Sequence, residues 1–172
     1  MIGFVTEGPS DKSIVQEICR QLGIRTDVRR MRGNNFGKAR ALSARLFDAG
    51  CKKVIILKDL HTSTPSEIEG KFRGEGFQSQ VSLCIVVKAI ESWLLADEKA
   101  LSDYLGSEVE AISNPEDISE PDELLEDIFR REKGRSYIKG GRDPDEIAKR
   151  LRLRIVEKKC PSFKEFKAAV RN

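Results

Sequence analysis

Short runs of apolar residues alternate along the chain with segments in which apolar positions recur at every third or fourth residue. The short runs, closed by turn residues, predict strands at residues 2–6, 24–31, 54–57 and 81–87. Because predicted helices separate these strands, the pattern is typical of a mostly parallel sheet. We therefore expect an α/β fold with about four strands in a mostly parallel sheet between helices.

Caps and breakers set the limits of the predicted helices. Either Ser10 or Asp11 can cap the first helix, which ends at a glycine. Thr64 is a cap with proline at the first helical position, and Ser162 and Glu165 have capping-box spacing at the last helix. Further helices are predicted at residues 38–50, 65–74, 89–105, 121–133 and 144–153.

The character of the chain changes after residue 106, where an acidic, irregular stretch precedes further helices. We expect an α/β core over residues 1–105 and a helical C-terminal extension over residues 106–172 that packs on it. An independent second domain is the alternative.

Composition narrows the class of protein. The 172 residues suit one compact domain, and no stretch approaches the roughly 18 consecutive apolar residues of a membrane span. The N-terminus lacks the features of a signal peptide, so we expect a cytoplasmic protein with no membrane contact. The four cysteines form no CxxC pair, which favours buried, reduced thiols: Cys19, Cys51, Cys84 and Cys160.

The net charge of +3 hides a pattern in which basic ends flank an acidic segment at residues 101–133. This pattern fits a basic surface for phosphates, set apart from an acidic stretch. It also fits solvated helix faces of mixed charge, the interpretation that charge alone favours.

Charged residues follow three of the predicted strands. Glu7 and Asp11 follow the first, Asp59 and His61 follow the strand at 54–57, and Glu91 lies just beyond the strand at 81–87. If these strands are parallel neighbours, the five side chains converge at one edge of the sheet. The carboxylate carbons of Glu7 and Asp59 are then expected within roughly 8 Å of each other, close enough to share a metal ion.

Clustered carboxylates repel one another unless a cation neutralises them, so the cluster predicts a divalent metal site that suits Mg²⁺. Each residue also has a simpler interpretation. Glu7, Asp11 and Glu91 can act as helix caps or partners of a helix dipole, and Asp59 and His61 can be ordinary turn residues.

The motifs Glu7-Gly-Pro-Ser-Asp11, Asp59-Leu-His61 and Ile90-Glu91-Ser-Trp93-Leu-Leu-Ala-Asp97 resemble a known family. Similar prokaryotic proteins, grouped as domain of unknown function 4276, typically read EG-x-S/T-E/D, then D-x-D, then IE-x-WLLAD. The likeness continues to Asn114-Pro115-Glu116, Tyr137-Ile-Lys139 and Cys160-Pro161-Ser162-Phe163. These motifs also resemble the Toprim domains of nucleases named for overcoming lysogenisation defect.

The resemblance implies a four-stranded parallel Toprim sheet and metal-dependent cleavage of nucleic acid, with a setting in prokaryotic defence or mobile elements. It makes Glu7 and Asp59 the metal-binding and catalytic acids and adds Asp11 and Glu91 to the metal site. His61 departs from the family pattern, which has aspartate at this place. Imidazole suits Mn²⁺ better than Mg²⁺, so either ion is a candidate.

Basic residues are candidates for contact with the substrate. Lys139 is placed to stabilise charge at a scissile phosphate, although a flexible surface lysine is the simpler interpretation. Arginines are dense near the second strand, and residues 33–38 resemble a phosphate-binding turn at a helix N-terminus. A solvated polar turn explains the same residues. The arginines are Arg25, Arg29, Arg30 and Arg32.

The leading hypothesis is a metal-dependent nuclease with nucleic acid as its partner, and with an ATPase or another protein as a further candidate partner. The alternative is a non-catalytic nucleic-acid- or protein-binding module with a degenerate metal site, and a third is phosphoryl transfer on a small nucleotide. His61 favours the binding module, whereas the four retained acids favour the enzyme.

Overall fold

The computed structural model describes residues 1–33 and 35–171. The strands within these ranges are β1 (Ile2–Thr6), β2 (Thr26–Arg30), β3 (Lys53–Asp59) and β4 (Val81–Val86). They form one sheet in the order β2-β1-β3-β4, and every neighbouring pair is parallel. The predicted α/β class with a four-stranded parallel sheet is confirmed, and the architecture is consistent with a Toprim-like fold.

Helices flank the sheet and continue beyond it. Helix α3 (Pro65–Gly74) begins with a capping box, in which the Thr64 side chain accepts from Glu67 N at 3.3 Å and the Glu67 carboxylate accepts from Thr64 N at 2.8 Å. This capping box explains why α3 begins at the predicted residue. The helices are α1 (Pro9–Gln21), α2 (Phe36–Asp48), α3 (Pro65–Gly74), α4 (Glu91–Leu95), α5 (Glu98–Leu105), α6 (Pro121–Lys133), α7 (Asp143–Ala148), α8 (Leu153–Lys159) and α9 (Pro161–Arg171).

Within the described part of the chain, apolar side chains form one cluster on each face of the sheet. Alternate residues of β3 point to opposite faces, as the geometry of a strand requires. The larger cluster joins the sheet to the last helix, since the rings of Phe4 and Phe166 lie 5.9 Å apart and those of Trp93 and Phe163 lie 5.2 Å apart. The division into 1–105 and 106–172 stays a prediction.

The single helix predicted at residues 89–105 is wrong, because α4 and α5 are separate helices with Asp97 between them. The buried Asp97 carboxylate accepts from Ala100 N at 3.3 Å and so caps α5. It also accepts from Arg152 N at 2.7 Å and from the Arg152 guanidinium at 2.6 Å. A capping aspartate therefore begins a new helix where apolar periodicity alone predicts a continuous one.

Two predictions for the C-terminal segment are also wrong. The helix predicted at 144–153 ends at Ala148, and α8 follows as a helix that the pattern did not reveal. The predicted capping box of the last helix does not form, because Ser162 lies inside α9 and its hydroxyl donates to Glu116. Ser162 Oγ also accepts from Trp93 Nε1 at 3.0 Å, so the motifs of α4, residues 115–117 and α9 meet in one buried polar network.

Other predictions concern α2, the cysteines and membrane contact. Helix α2 begins two residues before the predicted 38–50, because the Asn35 side chain accepts from Lys38 N at 3.1 Å. The predicted phosphate-binding turn at 33–38 includes Asn34, which lies outside the described residues.

The four cysteines, all within the described ranges, are buried free thiols as predicted. Among the helices described, none has the length and hydropathy to cross a bilayer.

Candidate metal centre

The carboxyl ends of three neighbouring strands bring the predicted acids to one edge of the sheet. Strand β3 lies between β1 and β4, and all three run in the same direction. Glu7 follows β1 directly, Asp59 is the last residue of β3, and Glu91 is the first residue of the helix after β4. The topology therefore provides the convergence that the sequence required.

Glu7, Asp59 and His61 form the centre of the site. Each offers one ligand atom, and these atoms lie within 4.8 Å of one another. His61 Nε2 lies 3.8 Å from Glu7 Oε2 and 3.9 Å from Asp59 Oδ2. Because each carboxylate carbon is bonded to its ligand oxygen, the carbons of Glu7 and Asp59 lie within the predicted limit of roughly 8 Å. Two carboxylates and one imidazole can hold a divalent ion and leave positions for water and substrate.

The backbone at His61 directs its side chain to this centre. His61 has a left-handed conformation with φ of 45°, and its N–H donates to Lys88 O at 2.9 Å. Lys88, beyond the end of β4, is also left-handed with φ of 62°. Histidine is among the few residues other than glycine that occupy this region, at modest cost. A turn of this kind allows an exposed imidazole to accompany two nearly buried carboxylates.

A cavity at this edge of the sheet is lined by Glu7, Asp59 and His61 and also by Asp11 and Glu91. Asp11 and Glu91 lie outside the close group formed by the other three residues. The Asp11 carboxylate accepts from Gly8 N at 2.7 Å and from Glu7 N at 3.1 Å. It therefore holds the turn that carries Glu7, in agreement with the simpler capping interpretation. Glu91 accepts a hydrogen bond from Ser10 Oγ at 3.0 Å.

The electrostatics of this edge favour a cation. Burial raises the pKa of Asp59 well above its ordinary value, and the charges of Asp11 and Glu91 raise it further. Burial likewise raises the pKa of Asp11 and that of Glu91. Carboxylates that resist ionisation in this way gain most from a nearby positive charge.

One cation of the site, Lys58, was missed by the sequence reasoning. Its side chain is 7% exposed, and its ammonium contacts the Glu7 carboxylate. Burial lowers the pKa of Lys58 to about 8, an effect that the charge of Asp59 opposes. The sequence contains a signal for this residue, since Lys58 continues the apolar run of β3 next to Asp59. A lysine that continues a buried strand is expected to have a charged partner, because lysine is rarely buried without one.

Lys139 lies at the rim of the cavity, where its ammonium pairs with Asp122 at 2.6 Å. Burial tends to lower the pKa of Lys139, but the hydrogen bond to Asp122 and the charge of Glu91 leave it raised. A hydrogen bond fixes the segment that carries Lys139: the Asp143 carboxylate accepts from Ile138 N at 2.9 Å. The cavity, which we call the acidic cavity, has a volume of about 500 Å³.

The arginines near β2 lie beside the site without entering it. All four are exposed, and Arg29 pairs with Asp27 at 2.7 Å. Arg30 Nε donates to Glu7 O at 3.4 Å, and its charge lowers the pKa of Asp11 slightly against the larger effect of burial. Of the arginines, Arg30 is therefore the one in contact with a residue of the centre.

Comparison with known proteins identifies the family. The family model described as domain of unknown function (DUF4276) matches residues 6–171. The chain belongs to this family. The match includes all of the predicted site residues and the helices after residue 105, so the resemblance to domain of unknown function 4276 is confirmed. No curated protein and no solved structure matches the chain.

Proposed function

We propose that this DUF4276 protein is a metal-dependent phosphodiesterase that cleaves nucleic acid, a nuclease-like Toprim protein. The observation that supports the proposal is the close group of Glu7, Asp59 and His61, whose ligand atoms lie within 4.8 Å of one another at the ends of parallel strands. Such a group suits a divalent ion bound to a substrate phosphate.

The residues take distinct roles in this proposal. Glu7, Asp59 and His61 hold the ion, and Glu7 also accepts a proton during cleavage. Lys139 neutralises charge on the phosphate at the rim. When bound, a divalent ion polarises the phosphate and activates the attacking water. Asp11 and Glu91 would complete a second metal position, and the hydrogen bond that Ser10 Oγ donates to Glu91 at 3.0 Å holds Glu91 in place.

The choice between Mg²⁺ and Mn²⁺ depends on His61. Imidazole is a softer ligand than carboxylate, so the wild-type centre should prefer Mn²⁺. The wider setting is also proposed: residues 1–105 as the Toprim-like core with 106–172 packed on it, a cytoplasmic location, and an ATPase or another protein as partner.

A cleavage assay with two variants tests the proposal. The wild-type protein, Glu7→Gln and His61→Asp are incubated with single- and double-stranded DNA and RNA in Mg²⁺ and in Mn²⁺. Glu7→Gln should lose cleavage by about 100- to 10,000-fold, because it removes a ligand and the proton acceptor. His61→Asp should increase cleavage in Mg²⁺, because it adds a hard, anionic ligand.

Cleavage that survives Glu7→Gln contradicts the assignment of the site. Absence of cleavage by all three proteins in both metals favours the alternative, a non-catalytic nucleic-acid- or protein-binding module with a degenerate metal site. Two observations favour that alternative: His61 stands where the family pattern has aspartate, and Lys58 already neutralises Glu7. In that case Mn²⁺ should leave the melting temperature unchanged.

A further inference from the structure

A second, smaller cavity lies on the other side of the candidate metal centre. Its volume is about 120 Å³, and Glu7, Asp59 and His61 line it as well as the acidic cavity. Lys58 and Lys71 lie in the smaller cavity only, together with Ser63 and an apolar wall. We call it the lysine cavity. The candidate metal centre therefore lies between the acidic cavity and a smaller cavity in which two lysines accompany the carboxylates of Glu7 and Asp59.

The alternation of β3 explains this separation. Val54 and Ile56 belong to the cluster on one face of the sheet, and Lys58 continues this row at the strand's end. Leu57 belongs to the cluster on the other face, and Asp59 continues that row next to the acidic cavity. Successive side chains at the end of one strand thus place Lys58 in the lysine cavity only and Asp59 between the two cavities.

The two lysines are held in different ways. The Lys58 ammonium lies 5.5 Å from the centre of the Phe36 ring and contacts Glu7, so its position is fixed by packing. Lys71 is exposed on α3, one turn after Ile68, and lines the same small cavity as Lys58. Two ammonium groups that line one small cavity favour an anion between them.

A metal ion at the centre strengthens this preference. In its absence, Glu7 and Asp59 compensate the charge of Lys58. A divalent ion held by these two carboxylates takes up their negative charge, so the lining of the lysine cavity becomes more positive. An anion that enters is attracted by the ion and the lysines together, so the metal and the anion bind with positive cooperativity.

We propose that the lysine cavity binds one phosphate group of the substrate beside the metal centre, with Lys58 and Lys71 as its cationic contacts and Ser63 as a hydroxyl donor. The volume fits a single phosphate, since sites that enclose a whole small ligand measure roughly 300–1,000 Å³. This inference rests on the proposed function for the identity of the centre, and it adds a subsite that selects where the nucleic acid is held.

The test measures binding of inorganic phosphate with and without Mn²⁺. Equilibrium dialysis gives the dissociation constant, and paramagnetic broadening of the ³¹P signal reports whether the phosphate lies next to the ion. Lys71→Gln should weaken phosphate binding about tenfold, because it removes a charge-assisted contact, and should not weaken Mn²⁺ binding measured without phosphate. Lys52→Gln is the matched control, since Lys52 is exposed before the opposite end of β3.

Lys58→Met is a second variant that keeps the length of the buried side chain. It should also weaken phosphate binding, and circular dichroism verifies that it folds. Mn²⁺ binding with no phosphate binding, or phosphate binding that is equal in wild type and Lys71→Gln, overturns the subsite and leaves the proposed function intact. Absence of Mn²⁺ binding overturns the proposed function instead. The subsite then stands only if metal-free phosphate binding is lost in Lys71→Gln.

A phosphate can come from the end of a chain or from within it. A nucleoside 5′-monophosphate and a dinucleoside monophosphate are therefore compared as competitors of inorganic phosphate. Stronger competition by the monophosphate identifies a terminal phosphate, stronger competition by the dinucleoside monophosphate identifies an internal phosphodiester, and equal competition shows that the subsite accepts both. Failure of both to compete contradicts the proposal, because the cavity then does not accept a phosphate carried by a nucleotide.

Discussion

Replacing Asp59 with asparagine should stabilise the metal-free protein and remove most of its response to divalent ions. Asp59 is buried beside Asp11 and Glu91, so ionising it costs free energy in the folded state. The gain should be on the order of 1 kcal/mol, the usual size of a single-residue effect on stability. In a domain of this size it corresponds to a rise in melting temperature of about 2–4 °C.

The pH dependence has a definite sign. The unfolded chain releases the Asp59 proton near its ordinary pKa of 3.8, whereas the folded protein retains it to higher pH. The metal-free protein should therefore lose stability as pH rises from 3.8 through the raised pKa, and Asp59→Asn should reduce this loss. A bound metal ion reverses this pH dependence of the stability, because it binds the ionised form of the Asp59 carboxylate.

Thermal denaturation in mildly acidic and mildly alkaline buffer, with and without Mn²⁺, measures both effects. Asp48→Asn is the control, because Asp48 is exposed at the end of α2 and lies outside the candidate centre. It should leave the metal response unchanged. A variant Asp59→Asn that Mn²⁺ stabilises as strongly as the wild type would remove Asp59 from the metal site.

Replacing Asp143 with alanine should destabilise the protein by about 3 kcal/mol. The carboxylate is almost fully buried and accepts from Tyr104 OH at 2.7 Å, from Ile138 N at 2.9 Å and from both terminal nitrogens of Arg135. Breaking a buried ion pair costs about 3–5 kcal/mol, and the lower end applies because the Arg135 side chain is 42% exposed. The same change releases the segment that carries Lys139.

Asp143 also has the opposite pH dependence from Asp59. Burial opposes ionisation, but the hydrogen bonds from Arg135 and Tyr104 lower the pKa of Asp143. The stability it contributes is present above the unfolded-state pKa of 3.8 and is lost as pH falls below it. Urea denaturation near neutral pH measures the effect of Asp143→Ala.

Asp145→Ala is the matched control for this variant. The Asp145 carboxylate pairs with the partly exposed Lys149 at 2.7 Å, and exposed pairs of this kind contribute about 0–1 kcal/mol. An Asp143→Ala protein as stable as the control would contradict the stabilising role of the hydrogen bonds that Asp143 accepts. If Asp143→Ala lowers the stability but leaves cleavage unchanged, the position of Lys139 does not matter for catalysis.

The sheet was predictable because its strands are buried runs with clear ends. The convergence of Glu7 and Asp59 required β1 and β3 to be neighbours, which the apolar pattern leaves open and the structure confirms. His61 joined them through a left-handed turn, which sequence pattern does not specify for histidine. The sequence therefore indicates which residues meet, whereas the geometry depends on strand order and on one unusual backbone conformation.

The features that sequence reasoning missed depend on distant partners. The break at Asp97 is stabilised by Arg152, which is far away along the chain. Ser162 does not act as the predicted cap of α9, because Glu116 and Trp93 form hydrogen bonds with its side chain. Local propensity cannot anticipate contacts of this kind, since they form only when the helices pack on the sheet.

The left-handed backbone at residue 61 also limits how this position can change by mutation. Besides glycine, the residues that tolerate such a conformation best are asparagine, aspartate and histidine. The codons of these three differ from one another by a single base at the first position. A chain with aspartate here can therefore become this one, or the reverse, in one mutational step without disturbing the turn. The backbone conformation at residue 61 thus accepts either aspartate or histidine, and under the proposed function an exchange between them changes the preferred metal ion.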